Sequence, residues 1–164
     1  MSATNLVFLP PPGGVPYWMR LEDGRLAAEG EGLPQDDAPA IAVAPAEAVT
    51  LHWAELPARS TAQAAAAARI MAAEASAAPM TELHVAVGGE EAEDSGRAIG
   101  VVNAGAMAGW LSMLAEAGID PVALVPAPLL LPRPDSGYAR GVVGGQAVVR
   151  GRHAGFADDD MLTP

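Results

Sequence analysis

The sequence predicts a mixed α/β fold, α+β in its strand pattern, on three observations. Short apolar runs of strand length recur between Gly, Pro and Asp turns. Two stretches carry helical signals, residues 61–78 and the segment between Asn103 and Gly118. Two dipeptides, Asp23-Gly24 and Gly144-Gly145, mark two-residue hairpins, because both central positions of a type I′ turn need φ > 0. The chain's 164 residues, 51% of them hydrophobic, suffice to bury a core as one domain or two small lobes. With 36 Ala and only 4% aromatics, that core must be assembled mostly from small and branched aliphatic side chains.

Residues 5–9 (NLVFL) form the first strand, stopped by Pro10-Pro11-Pro12 and turned by Gly13-Gly14. Residues 16–22 and 25–29 are the arms of the Asp23-Gly24 hairpin, and residues 30–39 (GEGLPQDDAP) are a polar loop. The next strands are residues 40–44 (AIAVA) and 49–56 (VTLHWAEL). In the latter, Val49, Leu51 and Trp53 share one face while Thr50 and His52 share the other. Ser60 and Gln63 make a capping-box pattern for a helix over 61–78, nearly all Ala and ended by Pro79. Its only large apolar side chains are Ile70 and Met71, so it packs closely but buries little area.

Residues 82–87 (ELHVAV) alternate with Leu83, Val85 and Val87 inward, and residues 97–102 (RAIGVV) return as a strand. Asn103 caps the second helix, where Met107, Trp110, Leu111 and Leu114 form an i, i+3, i+4, i+7 stripe. Gly118 supplies the left-handed end, with Pro121 beyond it. Residues 121–132 (PVALVPAPLLLP) are apolar but broken by Pro126 and Pro128, so only short strand pieces fit. Residues 133–137 read as a linker, and residues 138–143 and 146–150 flank the Gly144-Gly145 turn. The tail then closes on Asp158-Asp159-Asp160 without a hydrophobic element.

The chemistry available is narrow. Twenty acidic against nine basic residues, all Arg and scattered singly, give −11 at pH 7. That disfavours nucleic acid and polybasic membrane contact, and favours basic protein partners. The absence of Cys removes disulfides, thiolate metal sites and Cys nucleophiles. No apolar run reaches 18 residues, so no direct membrane insertion is expected of this chain. No Gly-x-Ser-x-Gly occurs, and a P-loop needs a Lys that the sequence lacks. His52 and His84 approach one another only if their strands pair, and no third ligand has recognisable zinc spacing. A small metal-dependent hydrolase is thus an outsider, and hydrogen-bonded surface His is the expectation. No catalytic, cofactor-binding or metal-binding residue is assigned.

Three stretches together resemble a known family. Ile70-Met71 … Glu74 … Glu82-Leu83-His84-Val85-Ala86-Val87-Gly88 is similar to its helix-to-strand block. Trp110-Leu111 … Leu114 … Ala117-Gly118-Ile119-Asp120-Pro121 … Leu124-Val125-Pro126 … Leu129 … Leu131-Pro132 is similar to its second block. Val148-Val149-Arg150 … Gly155-Phe156-Ala157 is similar to its closing hairpin. The family is the cytoplasmic domain of type II secretion system protein L, and the resemblance runs from about Leu6 to the end.

That resemblance implies an actin-like, ribonuclease H-like lobe with mixed sheets. Residues 1–132 would be the first lobe, with a small inserted subdomain at about 40–102. Residues 133–164 would be a linker and the opening hairpin of a second lobe, cut short here. It also implies a non-enzymatic scaffold at the cytoplasmic face of the bacterial inner membrane that recruits the secretion ATPase, protein E, through its N-terminal domain. Contact with protein M and self-association would use regions of the full-length protein outside this chain.

No cofactor is expected. Nucleotide-binding actin-like proteins place an Asp-Gly-rich turn and a basic residue in the first hairpin, where this chain has Leu9-Pro-Pro-Pro-Gly13-Gly14. The second-lobe turn, Val142-Val143-Gly144-Gly145-Gln146, lacks the acidic residue that would hold magnesium water. The alternative reading is a lobe of a nucleotide-binding actin-like ATPase. The acidic loop residues Glu90, Glu91, Glu93 and Asp94 are the candidate partner-binding site, for attracting basic protein.

Overall fold

The computed structural model of the chain describes residues 2–56, 60–89 and 96–158. Strands β1 (Ala3–Phe8), β2 (Tyr17–Glu22) and β3 (Arg25–Glu31) form an antiparallel meander. Asp23 and Gly24 turn its second hairpin with φ of 49° and 78°, the double positive φ that the Asp-Gly pair predicts. On its other edge β1 pairs in parallel with β4 (Ala40–Ala44), which pairs in parallel with β8 (Ala123–Pro126). The central sheet therefore has the order β3-β2-β1-β4-β8.

Parallel neighbours require a crossover, and the one from β4 to β8 is long enough to hold a second sheet. It contains β5 (Val49–Glu55), α1 (Thr61–Ala75), β6 (Leu83–Val87), β7 (Gly96–Asn103) and α2 (Ala104–Glu116). The three strands are antiparallel in the order β5-β7-β6. After β8 and a short 3₁₀ turn (Ala127–Leu130), β9 (Tyr138–Val143), β10 (Gln146–Gly151) and β11 (Ala154–Ala157) form a third, antiparallel sheet. Among the described residues no helix is long and apolar enough to cross a membrane.

The central sheet buries both faces, and the period-2 alternation decides which residue serves which. Val7 and Leu9 of the first strand segment, with Ala40, Ala42 and Ala44 of β4, meet Trp110 and Leu114 of α2. Three Ala in alternate positions leave the depth that the indole fills. On the opposite face Phe8 and Val43 cluster with Ala127 and with Val148 of β10, so the third sheet closes the core there. Arg150, buried, donates from Nη1 to the carbonyls of Leu129 (3.2 Å) and Leu131 (2.8 Å), tying the 3₁₀ turn to β10. A separate cluster joins Ala68 and Ala72 of α1 to Ile99 and Val101 of β7.

Several elements differ from the sequence expectation, each for an identifiable reason. Helix α1 stops at Ala75 rather than reaching Pro79. Ser76 turns extended (ψ 141°) and its hydroxyl accepts the Ala78 N–H at 3.1 Å, offering the backbone a local alternative to another turn. In α2 the stripe is rotated: Leu111 is exposed, while Met113 packs on the core with Met107, Trp110 and Leu114. The tail does have a closing strand, β11, paired with β10. The polar loop begins after β3, which runs on through Gly30 to Glu31.

Both expected helix caps form. The Ser60 hydroxyl accepts from Gln63 N–H (3.2 Å) and the Asn103 side chain from Ala106 N–H (3.0 Å). Past α2, Gly118 has φ +74°, and its N–H and that of Ile119 donate to Ala115 (3.0 Å) and Leu114 (2.8 Å). These are the two bonds of a Schellman end.

One polar network holds the meander to the loop after it. Asn5, fully buried, donates from Nδ2 to Asp36 at 2.9 Å, and Arg20 Nη1 lies 3.1 Å from the other carboxylate oxygen. The Ala38 N–H first, then the Asn5 amide and Arg20, hold the Asp36 carboxyl below its ordinary value of 3.8. A depressed carboxyl pKa contributes stability above its unfolded value, and that contribution is lost as pH falls through the folded one. Asp36→Asn is therefore expected to lower the urea midpoint near neutral pH. The gap to the parent should close as pH falls below about 4. A gap independent of pH would mean that shape rather than charge holds the loop.

Candidate functional site

The turn of the β9–β10 hairpin lies against the end of β1. A Cβ built on Gly144 (φ +58°) would sit 2.5 Å from Phe8 Cδ1, so only Gly lets the turn approach this closely. Between this turn, the segment after β1 and the start of the crossover lies a cleft of about 170 Å³. Gln146, the residue after the turn, bridges it. Its Oε1 accepts the Ala46 N–H at 3.2 Å, and its Nε2 donates to the Glu47 carboxylate at 3.1 Å. Among the described residues, Glu47 is the only charged one lining the cleft.

This arrangement is unsuited to a phosphate. An anion site needs convergent N–H groups or a cationic side chain. The segments facing the turn instead line the cleft with Pro11 and Pro45, which have no N–H. Beyond them, the Gly14 N–H is spent on the Pro11 carbonyl at 2.9 Å. A carboxylate at the mouth repels a polyanion. What the cleft does chemically is join the third sheet to the crossover by neutral and charge-assisted hydrogen bonds.

The acidic residues singled out from sequence, Glu90, Glu91, Glu93 and Asp94, lie outside the described residues, as do Asp159 and Asp160. Asp158 faces Arg140, whose Nη1 lies 3.4 Å from it. The two His are not brought together. Strand β7 lies between β5 and β6, with His52 opposite Ile99 and His84 opposite Val102. Those positions are three residues apart on one strand, so the imidazoles are on opposite faces of the sheet. The condition for a shared His52–His84 site, pairing of their strands, is not met. His153 instead reaches Trp53, with ring centroids 6.5 Å apart.

The residue that sequence reasoning missed is Gln146. Its partners lie about a hundred positions away, and a Gln opening a strand gives no local signal. Trp110, expected as a core anchor, is 7% exposed, and its indole N–H donates to the Pro10 carbonyl at 3.0 Å.

A mixed central sheet carries a long crossover insertion, with a second glycine hairpin folded back onto it, and the solved structures that share this architecture have actin-like folds. The cytoplasmic domain of EpsL, an inner membrane component of the type II secretion system of Vibrio cholerae, superposes with a TM-score of 0.76 at 19% identity, covering 98% of this chain and 72% of that one. PilM in the PilM-PilN type IV pilus biogenesis complex gives 0.61 at 15% identity, covering 89% and 56%. Within that class the sequence decides. Residues 33–160 match the family "Type II secretion system (T2SS), protein L", and the chain belongs to that family. No curated protein sequence matches it.

Proposed function

We propose that this chain is a non-enzymatic cytoplasmic adaptor that recruits the secretion ATPase, protein E, to the inner-membrane platform of a type II secretion system. The observation that carries the reading is the bridged cleft. Where a nucleotide-binding actin-like protein needs phosphate donors, this chain has prolines, one carboxylate and a Gln that ties the two sides together. The complex that PilM forms with PilN supports a protein partner for a chain of this fold. In this reading residues 1–132 are the first lobe, with an inserted subdomain over about 40–102. Residues 133–164 are the linker and opening hairpin of the second.

The test is surface-immobilised binding of the N-terminal domain of protein E at two ionic strengths. Binding is expected. Replacing Glu90, Glu91, Glu93 and Asp94 together by their amides is expected to slow association severalfold at low salt and leave dissociation nearly unchanged, because rim charges act mainly on encounter. Association indifferent to salt and to these substitutions would make the loop plain solvated surface. Calorimetric titration with ATP and magnesium is expected to give no binding, and micromolar affinity would overturn the adaptor reading.

A further inference from the structure

Where β4 begins, a cavity of about 220 Å³ lies between the loop before that strand and the turn after α2. Its polar side chains are Asp36, Asp37, Asp120 and Asn5, and among the described residues no basic side chain lines it. Asn5 is fully buried, so it forms the floor. Its Nδ2 donates to Asp36, which fixes the orientation of the amide and leaves Oδ1 as its free polar end. Among the described residues nothing donates to that oxygen. A buried acceptor without a donor is costly, and one kept in this state needs a reason.

The other groups of the lining sharpen the pattern. The Asp36 carboxylate is satisfied by Asn5, Ala38 and Arg20. Asp37 and Asp120 are exposed at the rim, and their carboxylates pair with nothing among the described residues. Donors are spent or missing. Pro34 and Pro39 have no N–H, the Ala38 N–H goes to Asp36, and those of Gly118 and Ile119 close the end of α2. What remains is a pocket of acceptors, two carboxylates over a buried amide oxygen. Its complement is a cation that only donates, an ammonium or a guanidinium.

Spacing chooses between cations. Among the described residues no three acidic or His side chains stand close enough to hold one metal ion. The carboxylates are therefore spread around the cavity, and a compact charge serves only one part of it. A guanidinium presents its N–H donors in a flat fork, which reaches rim and floor together.

We propose that this cavity is a guanidinium site, with Asp37 and Asp120 holding the charge at the rim and Asn5 Oδ1 accepting at the floor. The guanidinium is carried by an Arg of a protein partner or by free arginine. The assignment stands independently of the adaptor reading.

The test follows the amide resonances of the isotope-labelled chain by NMR, the Asn5 side-chain amide above all, during titration with the capped tripeptide acetyl-Gly-Arg-Gly-amide. Its Lys counterpart, free arginine and magnesium chloride are titrated in parallel. The Asn5 signal is expected to move saturably with the Arg tripeptide, and the Lys tripeptide to bind at least about threefold more weakly. Asp37→Asn combined with Asp120→Asn should leave the melting temperature unchanged and lower the affinity at least about fivefold. Glu31→Gln combined with Glu74→Gln removes two exposed charges elsewhere and should leave the affinity unchanged.

Tighter binding of the Arg tripeptide than of free arginine assigns the guanidinium to a protein segment, and the reverse assigns it to the free amino acid. Four results overturn the proposal: an unmoved Asn5 signal, equal binding of the Arg and Lys tripeptides, the same loss in both double variants, or magnesium moving the same resonances as strongly.

Discussion

Trp110→Ala is expected to lower the stability of the folded chain by about 3–5 kcal/mol, the range for truncating a buried large aromatic. Trp110 joins α2 to the central sheet, in a cluster with Val7, Leu9 and the Ala40, Ala42, Ala44 row. These small neighbours are what make the loss large. Ala side chains cannot swing into the space, so the cavity stays open instead of collapsing. The hydrogen bond to Pro10 adds a second cost, since the carbonyl of a proline-locked loop loses its partner.

Trp110→Phe separates the two contributions. It keeps most of the apolar contact and gives up the donor, and is expected to cost about 1–3 kcal/mol. Urea unfolding with an unchanged m-value is the measurement. A Trp110→Ala loss below about 1 kcal/mol would mean that α2 is held by something other than its indole.

The parts of this fold that were legible in sequence are those whose cause is local. Asp23-Gly24 and Gly144-Gly145 adopt positive φ because the I′ turn demands it, and Asn103 and Gly118 bound α2 because each satisfies orphaned backbone groups within a few residues. The alternation of Leu83, Val85 and Val87 was legible for the same reason, since one buried face is enough to write it.

Illegible parts depend on what arrives from far along the chain. That β7 would lie between β5 and β6, separating His52 from His84, follows from pairing order, which the strands' own patterns do not encode. Leu111 and Met113 exchanged roles because a helix drifts about 100° per residue, so a small rotation about Trp110 moves one side chain out and the other in. Strand β11 shows no apolar alternation, and only the resemblance of Gly155-Phe156-Ala157 to a closing hairpin pointed to it, because small residues are needed there. A Cβ on Gly155 would lie 2.8 Å from Leu51 Cδ1 of β5.

The Gly144-Gly145 turn supplies the sharpest test of the bridged cleft, because its two residues should respond in an order that backbone conformation alone would reverse. Gly144 has φ +58°, near the left-handed minimum that non-glycine residues adopt at least cost, while Gly145 has φ +81°. Judged by dihedrals, Ala should be better tolerated at 144. Judged by space, it should not be. At Gly145 a Cβ meets nothing within 4 Å, whereas at Gly144 it overlaps the Phe8 ring, which is itself buried in the core.

Gly145→Ala is therefore expected to cost about 1–2 kcal/mol, the left-handed penalty alone. Gly144→Ala is expected to cost about 2–5 kcal/mol, that penalty plus overpacking against an immobile ring. Combining Gly144→Ala with Phe8→Leu should give a double variant less destabilised than the sum of the two single changes by more than about 1 kcal/mol, since they share one contact. If instead Gly144→Ala is as mild as Gly145→Ala and shows no coupling to Phe8, the turn is not pressed onto β1. The two sides of the cleft would then stand apart, and a nucleotide-sized gap between them would regain its claim on this site.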